Sequence, residues 1–221
     1  MSSTDVWVER YRPNELGKIV GQPLIINKIR QNISAGNITN MIFSGPNGTG
    51  KTTTALVVGK AFFGNQLIGN FKEVNASEKS NRGIEFVSKE IIPFMREGAL
   101  NFYAPFKILL LEEADNLTAD AQAALRRPFE KYNQNCRVIM TVNYLEKIIP
   151  AIQSRFTVYE FQPINKDALI RRLHDISLNE NLALHEKQYD SIADKVKGDL
   201  RKGIGILQNL QVDASDMNGV F

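Results

Sequence analysis

The sequence predicts an α/β fold: a parallel sheet with helices on both faces, followed by a small all-helical lid domain. Three observations carry that expectation. Gly45-Pro46-Asn47-Gly48-Thr49-Gly50-Lys51-Thr52 stands between a short apolar run and a proline-free helical stretch, the strand–loop–helix setting of a parallel sheet. Short apolar runs and helical stretches then alternate as far as residue 162. Beyond Gln162-Pro163-Ile164-Asn165 every periodic segment is helical. The chain is therefore expected to divide into an α/β domain over residues 1–162 and a helical domain over 163–221.

The elements follow in chain order. Trp7-Val8-Glu9-Arg10-Tyr11-Arg12-Pro13 precedes the first helix. An aromatic and arginine cluster there is either a cover over the core or a flat apolar and cationic surface for a purine ring, and the residues leave both readings open. Leu24 to Ile33 carries apolar residues at 25, 26, 29 and 33, a helical stripe ending near Gly36. Met41-Ile42-Phe43-Ser44 reads as a buried strand. Residues 45–52 match G-x-x-x-x-G-K-[ST], a phosphate-binding loop. Its glycines let backbone N–H groups face phosphate oxygens, and the helix that follows adds partial positive charge. Lys51 would neutralise the β- and γ-phosphates, and the Thr52 hydroxyl would sit on Mg²⁺. The helix continues to Phe63 through Thr53, Ala55, Leu56, Val58 and Phe62.

Phe71 to Asn75 reads as a second strand, 76–82 as a polar loop, and Ile84 to Met95 as a helix broken or bent near Pro93. Phe106 to Leu111 is an apolar strand ending in Glu112-Glu113-Ala114-Asp115. Carboxylates there lie at the sheet edge where α/β folds bind ligands. One can hold the Mg²⁺ shell and a second can orient and deprotonate a water. Ala119 to Arg127 is helical and Pro128 is expected to interrupt it. Val138 to Val142 is the next strand, ended by Asn143, which reads either as a phosphate-sensing amide or as a turn asparagine. A short helix closes at Ile152-Gln153-Ser154-Arg155-Phe156, and Val158 to Phe161 is the last strand. Helices are then expected over roughly 166–179, 187–196 and 199–211, a bundle folded against the nucleotide and carrying Arg201.

Composition removes other classes. Hydrophobic residues are 43% and charged residues 23% of the 221, enough for a proper core. No apolar run approaches the ~20 residues that span a bilayer, and the polar start Met1-Ser2-Ser3-Thr4-Asp5 is no signal peptide. A cytoplasmic chain, or a nuclear one in a eukaryote, is expected, with no membrane partner. The single Cys136 excludes an internal disulfide and any cysteine-built zinc site, and His174 and His185 are isolated, reading as surface or cap residues. A net charge of +3 permits nucleic-acid contact without arguing for it.

From about Val6 to Gln211 the chain resembles the small-subunit group of replication factor C, the archaeal and eukaryotic clamp loaders of the AAA+ superfamily. The resemblance rests on an ordered set: Trp7 to Pro13, Ile19-Val20-Gly21-Gln22, the phosphate loop, Asn75-Ala76-Ser77, Glu113 to Gln122, Leu125-Arg126-Arg127, Gln153-Ser154-Arg155 and Gly198-Asp199-Leu200-Arg201. It implies an ATPase that binds ATP and Mg²⁺, opens a sliding clamp and loads it on primer–template DNA, together with a large clamp-loader subunit and further small subunits. It implies an adenine pocket at Tyr11, Arg12, Pro13 and Val20, and a phosphate cradle at Gly45, Pro46, Asn47, Gly48, Thr49, Gly50, Lys51, Thr52 and Thr53. It further implies Glu113 as catalytic base, Asn143 and Arg201 as sensors of the γ-phosphate, and Thr52 and Glu112 as metal ligands. Arg155 would be a finger acting on the neighbouring subunit's site, an effect of about 10³–10⁵ in rate. Asn75 is either a switch restraining Glu113 or a plain strand-end asparagine.

DNA would be held by its phosphate backbone, without sequence reading, at Arg82 and at Lys89 beside Ser88. The clamp would meet the helix carrying Ile91, Ile92, Phe94 and Met95, unless these four are core. The chain departs from the resemblance in several places. Glu112 replaces an aspartate, Phe156 stands at the cysteine of the Ser-Arg-Cys element, Pro128 lies in an expected helix, the 77–82 loop is slightly long, and the helical collar domain is absent. A nucleotide-binding structural subunit, another AAA+ motor or initiator, and a small-molecule phosphotransferase are the rival readings. Glu112 favours the first. The Tyr-Arg-Pro start opposes the second, and the lack of an acceptor pocket opposes the third.

Overall fold

Successive strand side chains point to opposite faces, so a strand that is apolar at every position must be covered on both. Ile108-Leu109-Leu110-Leu111 is such a segment, and all four side chains are fully buried. The computed structural model describes residues 6–36, 38–64, 67–99 and 104–218; Met1-Ser2-Ser3-Thr4-Asp5 lies outside them. Among the described residues, β1 (Met41–Ser44), β2 (Phe71–Asn75), β3 (Lys107–Glu112), β4 (Cys136–Val142) and β5 (Thr157–Glu160) form one parallel sheet in the order β2-β3-β4-β1-β5. The strand carrying the glycine loop thus lies between β4 and β5, with Ser44 level with Val142 and Glu160.

The helices of this part are α1 (Trp7–Arg10), α2 (Pro23–Ser34), α3 (Lys51–Phe63), α4 (Ile84–Phe86), α5 (Ile92–Arg96), α6 (Ala119–Lys131) and α7 (Pro150–Gln153). One sheet face, with Phe43, Ile108 and Leu110, packs on Ile26 and Ile29 of α2 and Ala55 and Val58 of α3. The other face, with Ile42, Leu109 and Leu111, packs on Val87, Ile91 and Met95 and on Ala121 and Leu125 of α6. Cys136 is buried and unpaired, and burial pushes its thiol up to about 12.

Of the two proline expectations, one holds and one needs correction. The helical segment over 84–96 is interrupted just before Pro93. A π-helical turn, Val87–Ile91, joins α4 to α5, and Pro93 lies in the first turn of α5. There its missing N–H costs little. The expected interruption at Pro128 is the one corrected: α6 runs through Pro128 to Lys131. The proline removes one donor near the helix end, while Leu125, Pro128 and Phe129 beside it are buried, which offsets that loss. Ile91 and Met95 are fully buried, while Ile92 and Phe94 are half-buried and pack against the same core. The Phe94 ring is covered by Lys107 Nζ at 4.8 Å and Lys72 Nζ at 5.7 Å.

A third core joins α8 (Lys166–Asn179), α9 (Glu186–Val196) and α10 (Leu200–Asn218) through Leu169, Leu173, Ile176, Ile192, Val196 and Leu207. Asn165 caps α8 by accepting the Ala168 N–H at 2.8 Å. His185 begins α9 in a capping box with Gln188, and the His174 ring packs on Tyr189 at 5.6 Å. Trp7, from the chain start, is buried in this helical cluster, and its backbone N–H donates to Gln208 Oε1 at 3.0 Å. No helix among the described residues is long and apolar enough to cross a membrane.

Candidate active site

The glycine loop leaves the C-terminal end of β1 and enters α3 at Lys51. Gly45 approaches the backbone so closely that an added Cβ would lie 2.1 Å from the Phe161 carbonyl oxygen; only glycine fits. Inside the loop, Thr49 Oγ1 donates to the Pro46 carbonyl and Thr54 Oγ1 to the Gly50 carbonyl, each at 2.8 Å. Lys51 Nζ reaches back across the loop, donating to the carbonyls of Gly45 at 2.6 Å and Pro46 at 2.8 Å and to Asn143 Oδ1 at 3.0 Å. Burial depresses this ammonium from its ordinary 10.5 to about 8, against the opposing pull of Asp115 and Glu113.

Thr52 Oγ1 donates to Glu112 Oε2 at 2.7 Å. A hydroxyl from the first turn of α3 and a carboxylate from the end of β3 thus converge beside the phosphate loop, a hard-oxygen set suited to Mg²⁺. The sequence reading missed a companion, Glu73. Its carboxyl is hydrogen-bonded to that of Glu112, which, with burial second, raises it to about 7. No motif marked it: the pairing of β2 with β3 sets Asn75 level with Glu112, and Glu73 shares Asn75's face because alternate strand residues point the same way.

Glu113 adopts left-handed backbone (φ +49°), rare for a residue with a side chain. Its N–H donates to Thr141 Oγ1 at 3.1 Å, and Asn116 Nδ2 donates to its carbonyl at 3.1 Å and to Oε2 at 3.3 Å. Asn75 points its Oδ1 to the Ser77 N–H at 2.8 Å. Both residues line a single pocket of about 310 Å³ with Lys51, Thr52, Glu112 and Asn143, within the ~300–1,000 Å³ of small-ligand sites.

The same pocket is bordered by Asn47, Gly48, Thr49, Gly50 and Thr53 from the loop and its helix, and by Tyr11, Arg12, Pro13 and Val20. Arg201 of α10 closes it. Val8, Ile19, Ile164 and Ile204 add apolar wall. Gly45 and Pro46 serve instead through their carbonyls on Lys51. The Tyr11 hydroxyl donates to Glu180 Oε1 at 2.5 Å and is pushed up to about 12 by burial. Arg12 is held by a two-pronged bond to Glu9, at 2.8 and 2.5 Å, and so stays a fixed cation at the pocket rim.

Other candidates lie elsewhere. Arg155 precedes β5, at the opposite end of that strand from Glu160 and the loop. Its guanidinium binds Glu130 Oε1, with Nη2 at 2.5 Å and Nε at 2.7 Å, in a separate groove of about 610 Å³. Arg82 is half-buried, its Nε donating to the Ser77 carbonyl at 3.1 Å, so it staples the 77–82 loop. Lys89 is exposed and paired with Glu85 at 2.6 Å.

A phosphate loop on a parallel sheet, a threonine and carboxylate beside it and a helical bundle over the opening define a P-loop nucleotide-binding protein with a lid. The chain belongs to the ATPase family associated with various cellular activities (AAA), whose profile matches residues 41–164. It is 43% identical over 208 residues to the replication factor C small subunit of Archaeoglobus fulgidus, covering 94% of this chain and 64% of that one. The Sulfolobus acidocaldarius replication factor C small subunit is 41% identical, with coverage of 94% and 63%. The chain thus spans somewhat under two thirds of the length of these relatives. Among solved structures, the Thermotoga maritima RuvB Holliday junction branch migration motor matches with TM-score 0.72 at 16% identity, over 90% of this chain and 64% of that one. A mutant of the same protein matches with TM-score 0.76 at 15% identity, over 95% and 68%. These two likenesses speak to the fold alone.

Proposed function

We propose that this chain is an ATP-hydrolysing subunit of a DNA sliding-clamp loader of the replication factor C type. It would use ATP to open the clamp and leave it on primer–template DNA, alongside a large subunit and further small subunits. The observation that carries the proposal is the division of the chemistry. Lys51, Thr52, Glu112, Glu113 and Asn143 meet in one pocket, while Arg155 is held at the far end of β5. A catalytic cation built into the chain but kept from its own pocket fits a site completed by a neighbour, as the relatives' name, small subunit, fits an assembly.

Within the pocket, Lys51 would exchange its loop carbonyls for phosphate oxygens, regaining a compensated charge. Thr52 and Glu112 would hold Mg²⁺, which supplies charge neutralisation along the phosphates. Glu113, aimed by Thr141 and Asn116, would take the proton of the attacking water. Asn143 and Arg201 would sense the terminal phosphate from the sheet and lid sides, and Tyr11, Arg12, Pro13 and Val20 would frame the adenine. The residue division 1–162 and 163–221 is the proposed boundary between base and lid. DNA would be met through its phosphates by the face bearing Arg82 and Lys89, a contact that weakens with salt. Glu112, engaged by both Thr52 and Glu73, favours one alternative: a subunit that binds nucleotide and turns it over slowly or not at all.

The test mixes Arg155→Ala with Lys51→Ala in the full-length protein assembled with its partners. An intact Arg155 on the Lys51→Ala subunit then serves a nucleotide-competent neighbour, and part of the turnover returns. No recovery at any ratio refutes a site shared between chains. In the same assay, turnover of the parent rises when clamp and primed DNA are both present; equal rates with and without them refute the loader reading.

A further inference from the structure

Asp199 stands just before α10, in Gly198-Asp199-Leu200-Arg201, and is only 9% exposed. Its Oδ1 accepts the Lys202 N–H at 3.0 Å and its carbonyl accepts the Gly203 N–H at 3.1 Å. These two bonds make it the cap of α10. The same carboxylate rests on the phosphate loop. Gly48 has φ +72°, and a Cβ there would lie 1.9 Å from Asp199 Oδ1 and 2.4 Å from its Cγ. Beside this contact the Leu200 N–H donates to the Gly48 carbonyl at 3.3 Å. One side chain therefore starts the helix and seats that start on the loop, two residues before the arginine that borders the pocket.

Arg201 has a long side chain with many rotamers. What the protein can set is where its backbone stands and which way the first turn of α10 faces. Asp199 bears on both, through its cap on α10 and its contact with Gly48. We propose that Asp199 is a positioning residue: packed on Gly48, it ties the lid helix to the phosphate loop and thereby sets the reach of Arg201 to the phosphates. This rests on the reading of the pocket as an ATPase site with Arg201 acting from the lid. It also explains, by contact as well as by φ, why the middle of the loop must be glycine.

The experiment compares Asp199→Ala, Asp199→Asn, Arg201→Ala and the double variant Asp199→Ala/Arg201→Ala in the full-length assembly, with ATP turnover and melting temperature measured for each. Parent turnover is read first; a parent without it refutes the ATPase reading itself, before any variant is compared. Given an active parent, Asp199→Ala lowers kcat by roughly 10-fold with little change in KM, less than the ~10²-fold that a 1 Å misplacement can cost. Asp199→Asn, which still accepts the Lys202 N–H and still fills the space over Gly48, keeps most of the activity. The double variant is no slower than Arg201→Ala alone, because the arginine through which Asp199 acts is already gone. If Asp199→Ala does not fold, Asp199→Ser takes its place, retaining the cap while withdrawing from Gly48. Losses that multiply in the double variant, or a kcat unchanged by Asp199→Ala, overturn the proposal.

Discussion

Lys51 should make the protein less stable, and Lys51→Met should show it. The ammonium is 8% exposed, and burial brings it from an ordinary 10.5 down to about 8. At 1.36 kcal/mol per pKa unit this depression is worth about 3 kcal/mol against the folded state at pH 7. Methionine has nearly the same length and no charge. It forfeits the bonds to Gly45, Pro46 and Asn143, but none of these residues is buried, so water can replace the lost donor. A net gain of about 1–2 kcal/mol remains, or a rise of about 2–8 °C in Tm for a chain of this size.

The pH dependence has a definite sign. Below about pH 8 both folded and unfolded parent carry the proton, and the penalty is complete. Between about 8 and 10.5 the unfolded chain binds more protons than the folded one, so parent stability climbs with pH in this window. The gap between variant and parent therefore closes as pH rises from 8 to 10. Thermal unfolding without nucleotide at pH 7, 8.5 and 10 measures it. The reasoning is refuted if Lys51→Met melts below the parent at pH 7, or if the gap does not change with pH. Adding ATP at ~100 times its Kd should stabilise the parent by about 2.7 kcal/mol and leave the variant nearly unmoved.

Two further outcomes follow from neighbouring contacts. Phe156 is 9% exposed and meets the Phe129 ring edge-on at 5.1 Å, so Phe156→Ala should cost about 3 kcal/mol and lower Tm by about 6–12 °C in a melting experiment. Thr52→Ala removes the hydroxyl that meets Glu112 at 2.7 Å; the Mg²⁺ concentration giving half-maximal nucleotide stabilisation should rise by at least the order of 10-fold, and an unchanged requirement would remove Thr52 from the metal shell.

Local chemistry determined much of this protein from its sequence alone. The eight residues of the glycine loop are contiguous, and the strand before and helix after them were readable by apolar runs of opposite period. All five strands and the three C-terminal helices were legible for the same reason, as were Glu112 and Glu113 at the edge of β3. Pro128 misled because a local rule counts one lost donor, whereas the burial of Pro128 and Phe129 is settled by packing against the sheet. Only the tertiary structure could decide which distant groups share a face or a cavity. The strand order seats β1 between β4 and β5, and that brings Asn143 to Lys51. The pairing of β2 with β3 sets Glu73 level with Leu110, so that its carboxyl meets that of Glu112 two residues on, and the docking of α10 lays Asp199 on Gly48. Each of these depends on contacts between residues far apart in the chain, which neither period nor motif can carry.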